Sequence, residues 1–123
     1  MKILLAGGCG FIGSNLSIFL KKKNFQVASI DNLSKKYCIL NEKRLKNNKI
    51  KNFKLNLLDK KKLEKINFIP DVIIDCAAEP AVEVSSKDPG RNVENNFNTS
   101  LNLLNFAKKH QSKFIFLSSS RIY

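Results

Sequence analysis

Histidine is almost missing from this 123-residue chain, cysteine is sparse and acidic residues are few. The one histidine, His110, stands among Lys108, Lys109 and Gln111 near an expected helix end, where a solvated residue is a better reading than a catalytic one. Cys9, Cys38 and Cys76 form an odd set with no close pair, which argues against a disulfide framework and against a zinc knuckle. A reducing compartment, the cytoplasm by default, and no metal site are therefore expected. Long apolar runs are missing too. Met1 to Ala6 resembles the start of a leader, but glycines and Asn15 break the run far short of a membrane span. Neither an internal repeat nor a linker is visible.

Ten acidic residues against 22 basic ones leave a formal charge of +12. Such an excess raises nucleic acid or an anionic membrane as a partner, since lysine clusters attract phosphate non-specifically. Here the lysines are scattered. Lys21-Lys22-Lys23 ends an expected helix, where cations oppose the negative end of the dipole, and Lys60-Lys61-Lys62 opens a surface segment beside Asp59 and Glu64. A solvated surface is the expectation, with no specific nucleic acid and no membrane as partner. The hydrophobic share of 43% is ordinary for a globular protein, and the length suits one domain. It is short for an enzyme that holds both a dinucleotide and a substrate.

Lys2 to Ala6 reads as a strand ending in glycines, and Phe11, Ile12, Leu16, Phe19 and Leu20 then recur at helical spacing. Phe25 to Ile30 is a second strand closed by Asp31-Asn32, and Lys51 to Leu55 a third. Tyr37 to Asn48 reads as a polar helix or loop. Asp71 to Cys76 and Phe114 to Leu117 read as buried strands. Between them Val93, Phe97, Leu101, Leu104 and Ala107 keep one apolar helical face from about Asn92 to His110. Strands alternating with helices predict an α/β fold, a doubly wound parallel sheet of about five strands with helices on both faces. These elements use the whole chain up to Tyr123 and leave nothing for a substrate domain.

Chemistry concentrates in Gly7-Gly8-Cys9-Gly10-Phe11-Ile12-Gly13, which satisfies G-x-G-x-x-G from Gly8 and G-x-x-G-x-x-G from Gly7. After a strand and before a helix, such glycines permit a tight turn and let backbone approach a pyrophosphate at the positive end of the helix. Glycines also serve plain turns, but Asp31 ends the second strand about twenty residues on, where a carboxylate accepts hydrogen bonds from the adenosine ribose and repels a 2′-phosphate. The pair points to a Rossmann-type site for NAD rather than NADP, although Lys35 and Lys36 stand close. Asp31 as a simple turn residue stays open beside it.

With these motifs the sequence resembles the NAD-dependent epimerase/dehydratase family of extended short-chain dehydrogenase/reductases, over its whole length. Asp31-Asn32-Leu33-Ser34, Asn56-Leu57-Leu58-Asp59, Asp75-Cys76-Ala77-Ala78, Asn96 with Leu101-Asn102-Leu103-Leu104, and Ser118-Ser119-Ser120-Arg121-Ile122-Tyr123 carry the likeness in order. The resemblance implies that Phe11 and Ile12 sit against the pyrophosphate turn and that Asp31 and Asn32 face the ribose. By the same resemblance Asn56 and Leu57 border the adenine, Ala77-Ala78 lets the cofactor lie close to the fourth strand, and Asn96 lies on the nicotinamide side. An ordinary surface asparagine is the alternative for Asn96. The family usually has Asp at Asn56, so the adenine contact is expected to weaken without the charge. Thr99 stands where a glycine is usual, which implies shifted packing against a neighbouring helix.

Ser119 matches the family's catalytic Ser/Thr, whose hydroxyl bonds the reacting sugar hydroxyl; a serine-rich strand end is the plainer reading. The family's base is the Tyr of a Y-x-x-x-K pair, and no such pair occurs among these 123 residues. The resemblance thus implies the cofactor-binding N-terminal portion of a nucleotide-sugar enzyme, lacking its last strands and substrate domain and inactive alone. Ser120-Arg121 occupies positions where dehydratases carry an acid pair, which favours an epimerase, closest in look to CDP-sugar 2-epimerases. A nucleotide-sugar 4,6-dehydratase, a non-catalytic NAD-binding module and a remnant of a truncated gene remain as alternatives. Glu79 and Glu83 either reach a sugar or merely solubilise a loop. An open edge at the fifth strand predicts self-association or a homodimer.

Overall fold

In a computed structural model of the chain, residues 1–77 and 89–117 are described, with the backbone alone for Pro89, Arg91, Asn92, Val93 and Asn95. Ala78, Glu79, Glu83, Ser119 and Tyr123 lie outside the described residues. Five strands, β1 (Lys2–Ala6), β2 (Gln26–Ile30), β3 (Lys51–Phe53), β4 (Val72–Asp75) and β5 (Lys113–Phe116), alternate with helices α1 (Phe11–Lys22), α2 (Lys36–Asn47), α3 (Lys60–Glu64) and α4 (Pro89–His110). All four strand pairs are parallel, in the order β3-β2-β1-β4-β5. This is the expected doubly wound sheet.

Side-chain alternation along the strands divides the core in two. Leu4, Ala6, Ala28, Ile30 and Ile73 pack on one face with Leu63 of α3 and Leu103, Phe106 and Ala107 of α4. On the other face Ile3, Leu5, Val27, Val72 and Ile74 pack with Cys38 and Leu45 of α2 and, partly buried, Leu16, Ile18 and Leu20 of α1. Both faces of β1 and β4 are therefore covered, which explains why these strands read as unbroken apolar runs.

Four sequence expectations change. The strand expected to be buried at Phe114 to Leu117 exposes Ile115, Phe116 and Leu117, as the open edge also expected of it requires. The apolar stripe Phe97, Leu101, Leu104 of α4 is also exposed, because the helix turns a different stripe, Leu103, Phe106 and Ala107 with Asn102, onto the sheet. In α1 the deeply buried positions are the small residues Gly13, Ser14 and Ser17, while Phe11, Ile12 and Phe19 face outward. Lys60 to Glu64 forms a short helix, started by Asp59, whose carboxylate accepts the Lys62 N–H at 3.2 Å. Tyr37 to Asn48 resolves as a helix rather than a loop.

Strand order reverses between β1 and β4, since β1 leads outward to β2 and β3 while β4 leads the other way to β5. The carboxyl ends of these two strands meet at this switch point, where open α/β sheets bind ligands in a crevice.

Candidate functional site

Gly7 leaves β1 at φ +73°, a conformation that side chains resist. A Cβ there would also stand 2.9 Å from the backbone of Ala77, which follows β4, so the two loops of the crevice touch through this glycine. Gly8 has no room because the Ser29 side chain lies beneath it, and a Cβ on Gly13 would overlap the Gly7 carbonyl. Gly10 differs: a Cβ there would meet nothing nearer than the Gly7 oxygen at 3.4 Å, an ordinary contact. Packing within the described residues does not require glycine at this position.

The turn feeds directly into α1. Gly10 is its N-cap with no side-chain cap, the first helical bond runs from the Ser14 N–H to the Gly10 carbonyl at 2.9 Å, and the first turn carries no acidic residue. The leading N–H groups of a helix have no intrahelical acceptor, so this end attracts an anion. Phe11 and Ile12 flank it with 77% and 59% of their surface exposed. Such exposure suits residues that a ligand covers.

Asp31 closes β2 and is half-buried beside the turn. One carboxylate oxygen accepts the Cys9 N–H at 3.1 Å and the other the Leu33 N–H at 2.8 Å. The turn-residue alternative is thus realised in the structure, and the same carboxylate remains at the lip of the crevice. Asn32 is exposed, its Oδ1 accepting the Ser34 N–H at 3.2 Å. Exposed Asn56 folds its side chain back to accept the Leu58 N–H at 2.9 Å, while Leu57 is buried in the core. The Leu57 carbonyl accepts the buried Asn102 side chain at 2.8 Å. Ala77 is half-buried against Gly7, and Asn96 is half-buried on α4. Thr99 donates to the Asn96 carbonyl at 3.0 Å, a bond within its own helix.

Two groups escaped the sequence reading. Asp75, the last residue of β4, is buried, accepting the Ala77 N–H at 3.0 Å and the Ser100 hydroxyl at 2.8 Å. Burial, above all, raises its pKa from 3.8, against those two hydrogen bonds. Asn52 of β3 receives the Ser29 hydroxyl at 2.8 Å and donates to the Asp31 carbonyl and to Glu42, both at 3.3 Å. A strand-terminal Asp and a polar residue inside a short strand were the available signals; their partners are distant in sequence.

Burial disfavours the thiolate form of all three cysteines. Burial, with Asp31 nearby, pushes Cys9 up to about 12, and burial with Asp75 pushes Cys76 up to about 11. Cys38 is raised for the same reason, burial first and Asp31 second. Among the described residues no cluster of His, Cys, Asp or Glu could hold a metal ion, and no helix is long and apolar enough to cross a membrane.

A doubly wound parallel sheet with a glycine turn at its switch point defines a Rossmann-type α/β domain. The chain belongs to the NAD dependent epimerase/dehydratase family, whose sequence profile matches residues 3–123. It is 30% identical to CDP-paratose 2-epimerase of Salmonella typhi over all of this chain and 38% of that protein. It is 35% identical to dTDP-D-glucose 4,6-dehydratase of Dictyostelium discoideum over 99% of this chain and 30% of that protein. Among solved structures, the UDP-glucose 4-epimerase of Thermotoga maritima with UDP-glucose superposes with a TM-score of 0.85 at 32% identity, over 97% of this chain and 38% of that one. The Thermus thermophilus UDP-glucose 4-epimerase complexed with NAD gives 0.82 at 31% identity, over 97% and 38%. The chain thus spans between 30% and 38% of the length of these relatives.

Proposed function

We infer that residues 1–123 form the NAD-binding domain of a nucleotide-sugar epimerase. The observation that carries this reading is Gly10: a glycine that packing among the described residues does not need stands at the mouth of the crevice, before the leading N–H groups of α1. A ligand diphosphate accounts for it, because a side chain there would stand between the phosphates and those donors.

The described residues fit the cofactor. Gly7, Gly10 and Gly13 shape the pyrophosphate turn, Phe11 and Ile12 cover its flank, and Asp31 with Asn32 is placed to hold the adenosine ribose. Asn56 and Leu57 are assigned to the adenine, Ala77 leaves the end of β4 approachable, and Asn96 is assigned to the nicotinamide side; Ala78, outside the described residues, is assigned the same part as Ala77. When bound, NAD supplies a hydride acceptor, so that a sugar carbon can be oxidised transiently and reduced again from its other face. Ser119 is assigned the hydrogen bond to the reacting sugar hydroxyl. Nucleotide-sugar chemistry is common to the relatives named above, and Ser120-Arg121 in place of an acid pair favours epimerisation over dehydration.

No Y-x-x-x-K lies within these residues, so the chain by itself is expected to bind NAD without epimerase turnover. The second reading is a non-catalytic NAD-binding module. Titration with NAD, followed by calorimetry and thermal unfolding, tests what both share, since a ligand specific for the folded state raises its stability. No binding at millimolar NAD overturns them. Reading the coding sequence past Tyr123 separates them: an in-frame Y-x-x-x-K supports the epimerase, a stop codon the module.

A further inference from the structure

Three side chains with no assigned role link two carbonyls of the phosphate turn to one another. Half-buried Asn41, on α2, donates its Nδ2 to the Cys9 carbonyl at 2.9 Å. Its Oδ1 accepts Arg44 Nη1 at 3.2 Å, and Arg44 Nη2 donates to Asn15 Oδ1, also at 3.2 Å. Asn15 Nδ2 then donates to the Phe11 carbonyl at 2.8 Å. The path leaves the turn at Cys9 and returns at Phe11, bridging Gly10.

Peptide planarity gives this path a consequence. In a trans peptide the carbonyl of one residue and the N–H of the next lie in one plane and point in opposite directions. Pinning the Cys9 carbonyl therefore fixes the Gly10 N–H, which bonds the Gly7 carbonyl at 3.1 Å. Pinning the Phe11 carbonyl fixes the Ile12 N–H, one of the leading donors of α1. Asp31 holds the preceding peptide through the Cys9 N–H. A turn whose peptides are already held, by Gly7 and Asp31 within it and by Asn41 from α2, needs no reordering when an anion arrives at the leading donors of α1, which strengthens binding without any contact to the ligand.

We propose that Asn41 is a positioning residue that holds the phosphate turn in its ligand-ready shape, with Arg44 and Asn15 completing a strap that steadies the Ile12 N–H toward a ligand diphosphate. This rests on the cofactor reading given above. The test compares ADP-ribose with adenosine by NMR titration of the 123-residue chain, in about 1 M salt, where screening to about 3 Å suppresses the long-range charge of Arg44. Asn41→Leu is expected to weaken ADP-ribose about tenfold while adenosine changes less than about twofold. Arg44→Met, at an exposed position that does not threaten the fold, is expected to weaken ADP-ribose selectively by about twofold to threefold. It decides alone if Asn41→Leu does not fold. Equal losses for both probes would reduce Asn41 to general scaffolding and overturn the proposal, as would unchanged affinities. A parent chain that binds neither probe removes the cofactor reading itself, whereas a binding parent with unaffected variants removes only the strap.

Discussion

The carboxylate of Asp31 accepts the backbone N–H of Cys9 at 3.1 Å, joining the end of β2 to the middle of the glycine turn. Its second oxygen holds the Leu33 N–H at 2.8 Å, so one side chain ties the glycine turn to the loop that follows β2. Asp31→Ala is therefore expected to affect both stability and binding. Hydrogen bonds to a charged group contribute about 1.5–3 kcal/mol, and loss of stability in that range is expected in urea unfolding. NAD affinity should fall at least tenfold, about 1.4 kcal/mol. Asp31→Asn keeps an acceptor for one N–H but removes the charge that repels a 2′-phosphate, so the preference for NAD over NADP should narrow. Calorimetric titration with both nucleotides checks this; an unchanged ratio would assign Asp31 to the turn alone.

Gly7 and Gly10 should respond oppositely to the same methyl group. Gly7→Ala places a Cβ at φ +73° and 2.9 Å from the Ala77 backbone, and strain of this kind costs about 1–3 kcal/mol. Among the described residues Gly10→Ala meets only the Gly7 oxygen at 3.4 Å. Its melting temperature should stay within about a degree or two of the parent, since a substitution that creates no clash, cavity or unpaired group changes stability by less than about 0.5 kcal/mol. Its NAD affinity should nonetheless drop at least tenfold, about 1.4 kcal/mol. A Gly10→Ala chain that binds NAD normally would leave this glycine unexplained and weaken the cofactor reading at its strongest point.

What the sequence disclosed and what it hid divide along a physical line. The glycine turn, β1, β2 and β4 are local: strands covered on both faces read as continuous apolar runs, and the turn follows one of them. The orientation of α4 is not local. Phe97, Leu101 and Leu104 repeat as regularly as Leu103, Phe106 and Ala107, and periodicity cannot say which stripe meets the sheet. Asn102 made the choice harder still, being a polar residue buried because the Leu57 carbonyl, 45 positions away, needs its side chain. The same holds at the site. Asp31 was legible from its distance to the glycines, whereas Asn41, Asn52 and Asp75 gain meaning only from tertiary partners.

The exposed stripe of α4 and the face of β5 meet in an apolar groove of about 400 Å³ lined by Phe97, Leu101, Leu104, Phe114 and Phe116. Among the described residues β5 is also a sheet edge, with one side of its backbone open to pairing. The 123-residue chain should therefore self-associate in a concentration-dependent way in sedimentation velocity. Phe116→Lys puts a charge on the edge at a residue 57% exposed, so it should reduce association without lowering stability by more than about 0.5 kcal/mol. Monomeric behaviour of the parent chain at high concentration would refute this.

Asp75 supplies a pH dependence whose sign follows from its burial. Its carboxyl is 2% exposed and its pKa is raised above the 3.8 of the unfolded chain, chiefly by desolvation. Below 3.8 the group is protonated in both states and folding buries no charge, so its favourable contribution is complete there. As pH rises through the folded value the unfolded chain ionises more readily than the folded one, and that contribution is lost. Asp75→Asn cannot ionise, yet its Oδ1 can still accept the Ala77 N–H while the Ser100 hydroxyl rotates to accept from Nδ2. The stability of the variant relative to the parent should thus rise with pH from the acid side and level off above the folded pKa. Urea unfolding of both chains across that range measures it. A parent that instead gained on the variant as pH rose would mean that the Ala77 N–H and Ser100 hydroxyl hold the ionised carboxylate more strongly than burial disfavours it, with the pKa lowered.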